Sequence, residues 1–151
     1  MVRRILSDEW AELRDIRLRL LTDVPWRVEH LAVEQAFTQA QWEERSRTDA
    51  TSAARAGFVG CDWDGIVEVD DGEIEGLWVS PGHRRRGLAT ELLEAAIDWA
   101  AARGQGRVES WVREQNAPGI AAHAAAGFVL SGRVQQWPDR AAWQVHMFRV
   151  P

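Results

Sequence analysis

No tyrosine occurs among the 151 residues, and cysteine occurs once, as Cys61. A single cysteine excludes an intramolecular disulfide, and with only four histidines a cysteine–histidine zinc centre is not expected; the sequence calls for no metal. No apolar run comes near the roughly 18 residues that a membrane-spanning helix needs. Met1-Val2-Arg3-Arg4-Ile5 lacks the apolar core of a secretion signal, so the cytoplasm is the expected compartment and no membrane partner is expected. Basic residues are outnumbered, 18 against 23 acidic ones, for a net charge of −5, which argues against nucleic acid as a partner. At 46% hydrophobic and 27% charged residues, the composition is that of a soluble globular chain, expected as a single domain over 1–151 with its own core.

What the chain does have is a concentrated pattern at Val79-Ser80-Pro81-Gly82-His83-Arg84-Arg85-Arg86-Gly87-Leu88-Ala89. An apolar strand end runs into three turn-forming residues, then three arginines, then a helix opening at Gly87. Such a junction presents unpaired backbone N–H groups and the positive end of the helix dipole beside fixed positive charge, an arrangement that favours a polyanion such as a pyrophosphate. Just upstream, Asp62, Asp64, Glu68, Asp70, Asp71, Glu73 and Glu75 make an acidic tract. It suits a site joining an anionic cofactor to a cationic partner, or else a solvated hairpin with acidic turns.

In chain order, Arg3 to Leu6 reads as a short strand. Ser7 is the expected N-cap of a helix running to about Thr22, with Trp10, Leu13, Ile16 or Arg17, Leu20 and Leu21 inward, and Asp23-Val24-Pro25 breaks it. A second helix is expected from Trp26 to Arg45, then a polar loop from Ser46 to Ala54. Gly57 to Asp62 and Ile66 to Asp70 read as two strands or one long bulged one, followed by a turn at Asp71-Gly72. Glu73 to Val79 alternates, placing Glu73, Glu75, Leu77 and Val79 on one face. Leu88, Leu92, Ala95 or Ala96 and Trp99 form a helical stripe that Gly104 ends. Arg107 to Val112 is a strand, Asn116-Ala117-Pro118 opens a short helix closed by Gly127, and Phe128 to Arg133 and Trp143 to Val150 are antiparallel strands around a loop containing Pro138-Asp139. This order describes a mixed α/β domain in which a crossover helix makes the strands at Glu73 and Arg107 parallel.

The segment Arg84-Arg85-Arg86-Gly87-Leu88-Ala89 fits the pattern Arg/Gln-x-x-Gly-x-Gly/Ala that marks the acetyl-CoA site of the GNAT superfamily of N-acetyltransferases. Trp111-Val112, Asn116 and Ala125-Ala126-Gly127-Phe128 resemble that family's second block, and Leu6 to Leu21 its first helix. The resemblance covers most of the chain and is weakest from Ser46 to Asp71. It implies a GNAT acyl-CoA N-acyltransferase-like fold, a central mixed and splayed sheet flanked by about four helices. It implies acetyl-CoA as cosubstrate and direct acetyl transfer to a primary amine of a small molecule or peptide. Dimers are frequent in that family, so a homodimer is an assembly it admits.

By the same resemblance, the backbone from Arg84 through Arg85, Arg86, Gly87, Leu88 and Ala89 to Thr90 would hold the pyrophosphate, with the arginine side chains adding charge. Leu77, Trp78 and Val79 would pair with the pantetheine arm, and Asn116 would hydrogen-bond the cofactor unless it is a plain helix cap. An amine near pKa 10 is mostly protonated at neutral pH and needs a base; Glu73 and Glu75 are the candidates, directly or through water, the bland alternative being a salt bridge. Their mutual repulsion would raise one of the two pKa values. Where many members carry a tyrosine acid, this chain has His123, either a substitute acid or a structural residue. Trp26, Trp42 and Trp63 fall where the family builds acceptor walls, and aromatic walls with acidic groups would favour a cationic or flat acceptor. The competing expectation, from the missing tyrosine, is a CoA-binding module that senses or interacts without catalysis.

Overall fold

The computed structural model describes residues 1–136 and 142–151; the expected turn at Pro138-Asp139 lies outside them. The strands are β1 Val2–Arg4, β2 Arg55–Gly60, β3 Gly65–Asp70, β4 Glu73–Val79, β5 Val108–Arg113, β6 Val129–Gln136 and β7 Trp143–Arg149. The helices are α1 Trp10–Asp23, α2 Val28–Gln35, α3 Gln39–Thr51, α4 Leu88–Ala102 and α5 Ala117–Ala125. One sheet takes the order β1-β2-β3-β4-β5-β7-β6, antiparallel except where β4 meets β5. No helix among the described residues is long and apolar enough to cross a membrane.

Both faces of the sheet are covered. On one, α4 lays Leu92, Leu93, Ala96, Ile97 and Ala100 against Ala56, Val67, Val69, Ile74, Val79 and Val108. Each fully buried leucine or isoleucine of that stripe contributes roughly 1.5–3 kcal/mol. On the other, Leu13, Ile16, Leu20 and Leu21 of α1 pack with Trp42, Val59, Ile66 and Trp78.

The segment between α1 and β2 departs from expectation. In place of one helix over 26–45, a 3₁₀ turn at Pro25–Arg27 leads into α2, and a new helix starts at Thr38. Thr38 Oγ1 accepts from Gln41 N at 3.2 Å while Gln41 Oε1 accepts from Thr38 N at 2.8 Å, a reciprocal cap that makes this position a start rather than an interior. The expected loop from Ser46 is helical as far as Thr51, because the buried face of α3 is largely polar: Ser46 Oγ donates to Leu6 O at 2.9 Å and Asp49 receives Arg55. Nor does Ser7 cap α1; Glu9 stands before Trp10 and its carboxylate accepts from Leu6 N at 2.9 Å.

The alternation expected of β4 is broken as well. Pairing with β3 slips between Ile66↔Trp78 and Glu68↔Glu75, and Gly76 in the slip has φ +62°. An extra residue in a strand reverses the parity beyond it. Glu73, Glu75 and Trp78 therefore share the α1 face, while Leu77 and Val79 join Ile74 on the α4 face instead of following the two carboxylates.

Candidate active site

β4 and β5 run parallel but pair only at Glu73↔Glu109, with Glu109 N donating to Gly72 O at 2.8 Å. Beyond that point they part, and a cavity of about 1010 Å³ fills the gap, lined by β4 from Glu73 to Val79 and β5 from Ser110 to Arg113. The break in the ladder leaves strand-edge backbone in the cavity wall, which suits an extended ligand that adds itself as a strand.

One end of the cavity is the turn into α4. Gly87, at φ +84°, caps the helix in the left-handed conformation that glycine adopts without a Cβ clash. From Arg84 to Thr90 no backbone N–H finds a backbone acceptor among the described residues, and Arg84, Arg85, Gly87, Leu88, Ala89 and Thr90 all line the cavity. This row of donors at a helix N-terminus fits a pyrophosphate. The side chain of Arg84 adds no free charge there: its Nε donates to Val79 O at 2.9 Å and its Nη2 to Asp23 Oδ2 at 2.7 Å. Asp23 also accepts from Trp78 Nε1 at 2.9 Å, so Arg84 fastens the end of β4 to α1. Arg85 and Arg86 are exposed, and Arg86 lies outside the cavity lining.

Asn116 lines the cavity and caps α5, its Oδ1 accepting from Gly119 N at 3.1 Å. His123 is buried on α5 and also reaches the lining. Its Nδ1 lies 2.7 Å from Gly119 O, which can only accept, so Nδ1 carries the proton; Nε2, 2.9 Å from Ser110 Oγ, accepts from that hydroxyl. Burial lowers the His123 pKa and the Gly119 carbonyl only partly opposes it. Both ring nitrogens are thus engaged by protein groups, Nδ1 by Gly119 O and Nε2 by Ser110 Oγ.

The two carboxylate candidates differ. Glu75 Oε2 accepts from Arg55 Nη1 at 2.9 Å, whereas Glu73 has no ion-pair partner among the described residues. Burial raises the Glu73 pKa, and the charges of Glu75, Glu109 and Asp70 push it further, with His146 opposing. Beneath them lies a buried ionic cluster. Glu68 receives Arg17, Arg45 and Arg55; Glu34 receives Arg17 and Arg45; and Arg55 also holds Asp49. Those three guanidinium groups hold the Glu68 carboxyl well below its usual range.

Of the three expected aromatic walls only Trp26 lines the cavity. Trp42 is 1% exposed, packed in the core at 5.2 Å from Phe37, and Trp63 sits in the β2–β3 turn against Arg3. Residues not expected from sequence to belong to the site also line the cavity, among them Arg17, Arg27 and His30 from the helical layer and Ser110, Trp111 and Arg113 from β5. The alternation of Val108–Arg113, buried at every second residue, carries the signal that puts Glu109, Trp111 and Arg113 on one face.

A model of the acetyltransferase (GNAT) family matches residues 4–128. An uncharacterized N-acetyltransferase of Methanocaldococcus jannaschii is 36% identical over 84 residues, 54% of this chain and 37% of that protein. Streptothricin acetyltransferase of Streptomyces lavendulae is 41% identical over 59 residues, 39% of this chain and 31% of that protein. The chain therefore spans about a third of the length of these relatives. Among solved structures, a putative acetyltransferase from Salmonella typhimurium with its cofactor acetyl-CoA superposes with a TM-score of 0.78 at 17% identity, covering 99% of this chain and 92% of that one. The likeness in fold runs the full length, and the family match takes in the Arg84 to Ala89 turn, Glu73 and His123; the chain belongs to the acetyltransferase (GNAT) family.

Proposed function

We propose that the chain transfers the acetyl group of acetyl-CoA to a primary amine of a small molecule or peptide, with Glu73 as the base. The observation that carries this reading is the parting of β4 from β5. It opens one cavity with a row of free N–H donors at one end and an unpaired carboxylate of raised pKa on its wall. When bound, acetyl-CoA supplies a thioester carbonyl carbon for the amine to attack. The residues of the chain hold, orient and move protons around it. The Arg84 to Thr90 backbone binds the pyrophosphate, and the open edge of Leu77, Trp78 and Val79 pairs with the extended arm.

The acceptor arrives largely as an ammonium and must lose a proton to attack. Glu73 suits that task better than Glu75, because Glu75 is occupied by Arg55 whereas Glu73 has no ion-pair partner among the described residues and its pKa is raised above the ordinary value. No acid is assigned to His123; a thiolate with a pKa near that of cysteine, about 8.5, leaves without one. The name of the archaeal relative, an N-acetyltransferase, supports transfer to nitrogen, and the cytoplasm suits a user of acetyl-CoA.

The second reading, a CoA-binding module without turnover, draws on the same engagement of His123. Thermal unfolding with acetyl-CoA, followed by thiol release with a panel of amines, separates the two. A rise in Tm together with thiol release is expected. No rise refutes the cofactor site, and a rise with no release from any amine favours the module.

A further inference from the structure

The charges on the acceptor side of the cavity can be matched pair by pair. Arg17 and Arg45 are held by Glu34 and Glu68, and Arg55 by Asp49, Glu68, Asp70 and Glu75. Among the charged lining groups outside these pairs are Glu73 and Arg113. Arg113, at the end of β5, has no carboxylate partner among the described residues, and its Nη1 is buried with no hydrogen-bond acceptor. Its guanidinium stacks 4.2 Å from the Trp26 ring, so the side chain is fixed in place although nothing answers its charge. A buried, unanswered donor on a cation is costly, and such exceptions point to a missing partner.

A second cation crowds the same wall. Arg27 lines the cavity, and its pKa is lowered first by burial and then by the charge of Arg17, with Glu34 and Glu75 opposing and Arg113 adding to the fall. β5 also fixes the spacing. Glu73 stands level with Glu109, and Arg113 is four residues further along the strand, roughly 13 Å at about 3.3 Å per residue. The side chains of both reach inward from the same face of the sheet. Glu73 and Arg113 are thus a negative group near the sheet junction and a positive one further out.

Resting on the acetyl-transfer reading above, we propose that the acceptor is an amine that itself carries a carboxylate, of the amino-acid class, with its nitrogen at Glu73 and its acid group at Arg113 beside Trp26. This narrows the expectation of a cationic or flat acceptor: Glu68, Asp70 and Glu75 of the acidic tract are held by arginines, while Arg113 offers a positive charge with no carboxylate partner among the described residues. Arg113 is a binding residue for the acid group, able to grip both oxygens through its planar fork.

The test pairs each amino acid with its own carboxamide, using glycine, β-alanine, γ-aminobutyrate and L-phenylalanine, and follows thiol release from acetyl-CoA by the intact protein. The expected result is at least one acid favoured over its amide by about tenfold or more in kcat/KM, carried mainly in KM, as loss of a charge-assisted hydrogen bond implies. In Arg113→Gln that acid-to-amide ratio collapses toward one, and Arg113→Lys restores part of it. Amides or simple alkylamines that turn over as well as the acids overturn the inference while leaving acetyl transfer standing. Acetyl-CoA binding with no turnover of any amine overturns both. The wild-type acid and amide comparison decides the matter even where a variant folds poorly.

Discussion

Replacing Gly76 with alanine tests whether the bulge in β4, which turns Trp78 onto the α1 face, requires a glycine. At φ +62° an L residue incurs about 1–2 kcal/mol of left-handed strain. A Cβ at this position would also lie 2.7 Å from Arg17 Nη1, too close to be tolerated. That nitrogen donates to Glu68 at 3.1 Å, so moving it weakens a buried hydrogen bond between charged groups, at about 1–3 kcal/mol. Against these stands the gain of about 0.4–1 kcal/mol from a stiffer unfolded chain. The net expectation is a loss of about 1–5 kcal/mol, roughly 2–20 °C in Tm for a chain of this size. Gly82→Ala is the control, since a Cβ there meets nothing within 4 Å and the backbone is not left-handed; it should stay within about 0.5 kcal/mol of the parent. Thermal unfolding of the three proteins, followed by circular dichroism at one concentration, gives the answer. If Gly76→Ala unfolds with the parent and with Gly82→Ala, the bulge is not under the constraint described.

Glu73→Gln is expected to lower kcat by about 10²–10⁴-fold while acetyl-CoA still raises Tm. Because burial and neighbouring carboxylates raise the Glu73 pKa, the parent rate should climb with pH through a value above the ordinary 4.5, a limb that steady-state kinetics should find missing in the variant. His123→Phe should change thiol release across the neutral range by far less than the ~10²–10⁴-fold an acid supplies. It should lower stability by about 1–3 kcal/mol by leaving the buried Ser110 hydroxyl unaccepted, and an acid-like loss of rate would restore the acid role. Burial, and next the Glu68 charge, raise the Asp49 pKa above its ordinary 3.8, so from that pH upward the folded chain keeps a proton longer than the unfolded one, and stability falls as pH rises. Urea unfolding at several pH values should show that decline flattened in Asp49→Asn. Arg55→Lys keeps the charge but offers one nitrogen where Nε, Nη1 and Nη2 now serve Asp49, Glu75 and Glu68; a loss of about 1–3 kcal/mol is expected in the same urea assay, and parental stability would contradict it.

The turn into α4 and the parallel strands beside it are legible in the sequence because local rules decide them. Ser80-Pro81-Gly82 can only turn, Gly87 permits the left-handed start of α4, and the Leu88 to Trp99 stripe commits that helix to the sheet, which makes β4 and β5 parallel neighbours. Elsewhere the deciding interactions were long-range or polar. The inner face of α3 is built from Trp42, Ser46 and Asp49, so it carries no apolar stripe, and its partners Leu6 and Arg55 are distant in sequence. In β4 the expected alternation holds as far as Glu75, and a single glycine inverts it beyond. Arg84 matched the expected motif, yet its side chain faces Asp23 and Val79, a role that depends on where α1 ends.

The acceptor half is illegible for a different reason. All 18 basic residues are arginine, none lysine, and three of them bind five carboxylates within one cluster. Only a group with several donors in a fixed fork can divide itself that way; an ammonium would serve one or two partners and leave the rest unmatched in the interior. The sequence lists every one of these charges, but it does not say which cancel, because each pairing joins segments up to 51 residues apart, as Arg17 and Glu68 are. The net charge of −5 and the acidic tract from Asp62 to Glu75 therefore suggest a cavity that attracts cations. Once the arginines of α1, α3 and β2 have taken up Glu68, Asp70 and Glu75, what the cavity offers a visitor depends on the charges outside that cluster, Glu73 and Arg113 among them.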